Sequence, residues 1–246
     1  MKLSSVMVTM HMVYERFVMW VIEHWRQAFA IVLLVFLATG GVVGWRSYKA
    51  SCEQRAHKAY LDVVRMVNGP VKGKDKGEGF EFSSEEEKNQ TIISLGDLFV
   101  AQHGATSFTP TVLAFVARSL HASGKAEEAR LKMHAAEKAC SSVDLRDVYA
   151  LSAALMDVDA QDAAVQSQGV ATLKGLAKNT AGAVCDAASY YLGEYFWSKQ
   201  DYQEARLWWS QLVTLADKKQ TELGSDASSA WVAAAREKLS LIDYRS

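Results

Sequence analysis

Twice in this chain a small residue is followed twelve positions later by another, and then four positions on by a large apolar one: Ala117, Ala129 and Met133, and again Gly193, Ala205 and Trp209. Around the first set, Leu113, Val116, Ala117 and Leu120 fall on one helical face. After the turn Ser123-Gly124-Lys125, a second face is made by Ala126, Ala129, Met133 and Ala136. Two helices joined by so short a glycine turn must pack antiparallel. A small residue on each lets the axes approach where they cross. In the second set Leu192, Gly193 and Phe196 oppose Tyr202, Ala205, Trp209 and Leu212. The chain therefore builds helical hairpins, and hairpins bury their faces only against neighbours.

Composition agrees with helix almost throughout. Only two prolines occur, Pro70 and Pro110, and half of the residues are hydrophobic. Alanine is dense from Ala114 to Ala235, which favours helix over strand. Between the two clear hairpins, the stretches 144–158 and 161–179 read as a third, degenerate hairpin with a lengthened turn. The shared interval of small residues resembles the tetratricopeptide hairpin. Ser84 and Glu87 form a capping box for a helix that stops at Gly104. Thr109 caps the next, with Pro110 in its first position. Ser225 or Asp226 caps a closing helix over 227–244. An ordinary helical bundle is the competing architecture for residues 84–246.

From Gln27 to Trp45 no charged residue occurs. Nineteen helical residues reach about 28 Å, close to the ~30 Å hydrocarbon core of a bilayer. Trp25 and Trp45, with Arg26 and Arg46 beside them, edge the stretch as aromatic and basic residues edge a spanning helix. A transmembrane helix is thus expected over 27–46, with an amphipathic pre-membrane helix inside 1–26 and a membrane-proximal helix over 47–70 that breaks at Asn68-Gly69-Pro70. Gly40 and Gly44 are spaced for contact with another transmembrane helix. A buried core helix, a cleaved signal and a lipidated Cys52 are the weaker alternatives. The charges flanking the stretch do not set its orientation. The Lys/Gly-rich segment 71–83 is expected to be a flexible loop. The fold class is accordingly all-α: a single N-terminal transmembrane helix followed by a tetratricopeptide-like α-α hairpin solenoid.

Chemistry is sparse. Lys+Arg and Asp+Glu nearly cancel, 27 against 28, which gives no electrostatic case for nucleic acid. The six histidines are scattered, and neither metal-ligand spacing nor a phosphate-cradling loop is present. Cys52, Cys140 and Cys185 form no CxxC pair; thiols are the default, with a Cys140–Cys185 disulfide the alternative. No enzyme, cofactor, metal or small-molecule substrate is expected, so partners are proteins. If the first helix of each hairpin lines a binding groove, then Arg118, His121, Tyr190, Glu194 and Trp197 point into it. The competing reading packs Tyr190, Trp197 and Trp208 against the neighbouring hairpin or the closing helix.

The order of parts resembles a bacterial family. His24-Trp25-Arg26 precedes the apolar stretch, Gly44-Trp45-Arg46 ends it, a small-residue helix runs to Ala59-Tyr60, and an AREKLSLI helix closes the chain. It is similar to the ancillary subunit of the SecYEG translocon, whose repeats are related to those of a cell-division coordinator. That resemblance implies a single-pass inner-membrane protein, N-terminus cytoplasmic and repeats periplasmic. It would act as scaffold and chaperone partner to the translocon, a membrane-anchored prolyl isomerase and exported clients. An adaptor for envelope assembly or cell division is the alternative.

Overall fold

A computed structural model describes residues 14–16, 18–20, 22–72, 81–223 and 229–245, without the side chains of 28, 31, 32, 35, 222, 223 and 243–245. The chain divides into two compact units, Met1–Gln54 and Arg55–Ser246. Helices α1 (Trp25–Val67), α2 (Glu85–His103), α3 (Thr109–Ala122), α4 (Ala126–Ala139), α5 (Val143–Val158), α6 (Ala163–Lys178), α7 (Cys185–Ser198), α8 (Tyr202–Leu223) and α9 (Ala230–Arg245) make up nearly all of the described residues.

The first unit overturns the expected transmembrane helix. Among the described residues, no helix is long and apolar enough to cross a membrane. The apolar stretch is not a helix of its own: α1 runs unbroken past it through Arg46, Lys49, Glu53 and Arg55 to Val67, so charged residues fill its second half. The single-pass inner-membrane localisation rested on that helix and loses its support with it. Of the expected pre-membrane helix, 1–13, 17 and 21 lie outside the described residues. Gly40 and Gly44 have no neighbour within 4 Å of a Cβ built on them.

The second unit is a stack of consecutive helix pairs. Helices α3 and α4, α5 and α6, and α7 and α8 form three hairpins, and each packs on the next through α4 against α5, α6 against α7, and α8 against α9. This is the packing of a helical solenoid. The first two hairpins start 34 residues apart, at Thr109 and Val143; the third starts at Cys185 after a longer connection, 179–184. The extra length thus falls between hairpins. The middle turn, 159–162, exceeds its counterparts 123–125 and 199–201 by one residue only. In those shorter turns Gly124 and Gln200 both take positive φ, 77° and 63°.

The stack begins with the end of α1. Ala56 and Val63 bury against Phe99 of α2 and Val112 of α3. After the break at Asn68-Gly69-Pro70, Val71 and Phe82 are buried and joined by a single β-bridge. The expected loop is therefore anchored at both ends, while 73–80 lie outside the described residues. Ser84 caps α2 by accepting from the Glu87 amide at 3.1 Å, and the Glu87 carboxylate accepts from the Ser83 amide at 2.8 Å. Helix α3 departs from expectation. Its cap is Phe108, without a side-chain hydrogen bond, and Thr109 lies inside the helix. The Thr109 hydroxyl instead donates to the His103 carbonyl at 3.1 Å, tying α3 to the end of α2. The expected cap at Ser225 or Asp226 lies outside the described residues.

Candidate protein-binding face

The small residues sit where the hairpins need them. Ala117 and Ala129 are fully buried at the first crossing. At the third, a Cβ on Gly193 would lie inside the Trp209 indole. The missing side chain lets that indole enter the hairpin and donate its N–H to the Tyr190 carbonyl at 3.1 Å. The middle hairpin obtains the same clearance from Gly169, where a Cβ would stand 2.8 Å from both the Ala154 carbonyl and the Asp157 Cβ. Four residues beyond Gly169, Leu173 is fully buried, as Met133 and Trp209 are in their hairpins.

Asp157 is the largest departure from an apolar core. It is 1 % exposed, and its carboxylate is held from the preceding hairpin. His134 Nε2 lies 3.0 Å from both oxygens, and Arg130 Nη1 lies 3.4 Å from one. Both partners are on α4, so the cluster staples α4 to α5. Arg130 also donates to Glu127 at 3.0 Å, a bond that raises the guanidinium's affinity for its proton. Beside the staple, a cavity of about 430 Å³ opens between the turns 124–128 and 159–161.

The five residues expected to line a groove fall into two groups. Arg118 and His121 are exposed on the last turn and a half of α3. Tyr190, Glu194 and Trp197, on α7, are committed to packing. Tyr190 lies 5.3 Å from Trp231 of α9 and 6.4 Å from Trp209 between ring centres. Trp197 meets Tyr202 edge-on at 4.8 Å. Glu194 pairs with Lys238 of α9 at 2.8 Å. Burial raises the Tyr190 pKa, with the nearby Glu194 charge adding to it, and the Glu194 hydrogen bond raises that of Lys238. Ser229, just before α9, donates to Asp186 at 2.8 Å. Helix α9 therefore covers the α7 end of the first-helix face.

Between the two groups stands α5. Tyr149 and Ala153 turn into the first hairpin, where the Tyr149 hydroxyl bonds Thr111 at 3.1 Å. Leu151, Ala154, Leu155 and Val158 turn toward α6 and α7. What remains on the outside of α5 includes Leu145 and Val148, 51 % and 38 % exposed. Sequence reading missed these two, although their spacing of three residues beside Tyr149 puts them on a separate helical stripe. It also missed Trp231 and Lys238 as the cover over α7.

The thiols are separate. Cys140 donates to the Ser142 carbonyl and Cys185 to the Ala177 carbonyl, and no disulfide joins them. Among the described residues no group of three His, Cys, Asp or Glu side chains could hold a metal ion. Compared with known proteins, the chain matches no family model, no curated protein and no solved structure.

Proposed function

We propose that the second unit is a tetratricopeptide-like protein-binding scaffold, which engages its partner on the first helices of the first two hairpins. The observation that carries this reading is the contrast along that face. At α7 the aromatic and charged side chains are consumed by α8 and α9, whereas on α3 and α5 Arg118, His121, Leu145 and Val148 stay exposed. Exposed aliphatic residues together with the Arg118 guanidinium suit an extended or helical segment carrying apolar and acidic side chains. The resemblance to the translocon's ancillary subunit names the first partners to test: translocon subunits, a prolyl isomerase and exported chains.

A photo-reactive amino acid at Val148 tests the reading, with one at Gln211 on the exposed side of α8 as control. A discrete adduct from Val148 that is absent at Gln211 supports it, and identification of the adduct tests the translocon assignment separately. Equal labelling from both positions would remove the first-helix face as the site.

A further inference from the structure

In the first unit, Arg26, Phe29, Leu33, Phe36, Gly40, Val43 and Ser47 recur at alternating intervals of three and four along α1. That is the spacing of the core positions of a coiled-coil seam, sustained over three heptads. Every apolar member stands in the open: Phe29 63 %, Leu33 47 %, Phe36 73 % and Val43 63 % exposed, and Leu37 beside them 62 %. Gly40 has nothing within 4 Å of where its Cβ would lie. Together these side chains present roughly 700 Å² of apolar surface, more than the ~300–600 Å² of the largest patch on a typical monomer and close to the ~800 Å² each partner gives to a standard interface.

We infer that this seam is covered by the same seam of a second copy of the chain, running antiparallel. Orientation follows from side-chain volume. In a parallel pair Gly40 would face Gly40 and Phe36 would face Phe36, leaving a void next to a crowded layer, and Arg26 would face Arg26. The antiparallel register sets Phe29 into the notch at Gly40 on either side of two central Leu33–Phe36 layers, with Arg26 against Val43 at the ends. The largest side chains then meet the glycine notches instead of one another, as close packing requires. It also brings Arg46 of one copy beside Trp25 of the other, the flanking positions that face each other in antiparallel pairs, where an indole ring attracts a guanidinium. The interface is isologous, closes on two copies and uses no residue of the hairpin face. It is independent of what that face binds.

The test uses the full chain in buffer and in dodecyl maltoside. Light scattering is expected to give a protein mass of twice 27.1 kDa. Phe36→Glu with Leu33→Glu should reduce it to one chain, whereas Leu34→Glu, a third of a turn off the seam, should leave it paired. In a Cys52→Ser background, Phe29→Cys mixed with Gly40→Cys should cross-link the two forms to each other on mild oxidation, and neither form to itself. A mass of one chain for the unaltered protein overturns the inference. So does equal loss of pairing in the Leu34 and Phe36 variants, or adducts formed by either cysteine variant alone. An unpaired chain floating with phosphatidylcholine vesicles overturns it as well, with lipid as the occupant.

Discussion

A methyl group added at two helical glycines should move stability in opposite directions. At Gly193 an alanine Cβ would overlap the Trp209 ring, whose N–H is bonded to the Tyr190 carbonyl. Trp209 is fully buried, so the ring cannot swing out without emptying the junction of α7, α8 and α9. Overpacking of this kind costs about 1–3 kcal/mol. A broken hydrogen bond adds about 1 kcal/mol, and the better helix propensity of alanine returns about 1. The net loss is about 2 kcal/mol, or roughly 4–8 °C in Tm for a unit of this size. Gly175, also inside a helix, has open space around its Cβ position. There only the propensity gain remains, and Gly175→Ala should raise Tm by about 2–4 °C. Paired thermal and urea melts followed by circular dichroism decide the matter. If Gly193→Ala melts no lower than Gly175→Ala, the account of why the hairpin needs a small residue there is wrong.

Three further outcomes follow from the same geometry. Asp157→Ala removes a buried carboxylate from between Arg130 and His134, which keep partial access to water; urea melts should show a loss of about 2–3 kcal/mol, and a loss below about 0.5 would mean the staple is idle. The raised pKa values of Tyr190 and Lys238 make the folded form hold both protons more tightly than the unfolded chain. Their contribution is complete below the ordinary values of 10.0 and 10.5 and fades as pH climbs through the raised ones, so α9 should loosen first in alkali. Trp231 fluorescence unchanged well above pH 11 would count against it. Burial, aided by the neighbouring Asp186 charge, pushes the Cys185 thiol up, and Cys140 is also buried. Ellman's reagent at neutral pH should therefore find both only after urea is added.

The hairpins were legible because their determinants are local. A turn of three residues, a small residue on each side and a large one four residues on dictate antiparallel helices whatever surrounds them. The fate of Tyr190, Glu194 and Trp197 was legible only as one of two alternatives, since for Tyr190 and Glu194 it depends on α9, which arrives more than thirty residues later in the chain. Aromatic residues on a first helix look alike from sequence whether they await a partner or a closing helix. Only the placement of Trp231 and Lys238 distinguishes the two. Thr109 misled for a related reason. Its hydroxyl has the chemistry of a cap, yet the His103 carbonyl at the end of the preceding helix claims it. The apolar stretch misled through its edges, which carry the aromatic and basic residues of a spanning helix, whereas no helix among the described residues is long and apolar enough to cross a membrane.

The junctions at the two ends of the hairpin stack, α4–α5 and α8–α9, differ in chemistry, and the difference bears on where a partner can act. The α8–α9 junction is aromatic, with Tyr190 of α7 contacting both Trp209 and Trp231, and its apolar area by itself favours association. The α4–α5 junction places a carboxylate among apolar neighbours, where an apolar cluster replacing the carboxylate and its partners together would be as stable or more so. A buried carboxylate needs its hydrogen-bond donors at one separation and angle, whereas apolar surfaces slide. Asp157 thus fixes α5 against α4 at the cost of some stability. The exposed residues of the first-helix face, Arg118 and His121 on α3 and Leu145 and Val148 on α5, lie on the two hairpins that this staple joins. A variant that replaces the whole cluster, Asp157→Leu with Arg130→Met and His134→Leu, separates the two roles. It should keep or gain thermal stability while weakening binding to any partner captured at Val148, because the two halves of the face would no longer be held in one register. Full binding by a stable chain of that kind would show that the staple sets nothing the partner reads.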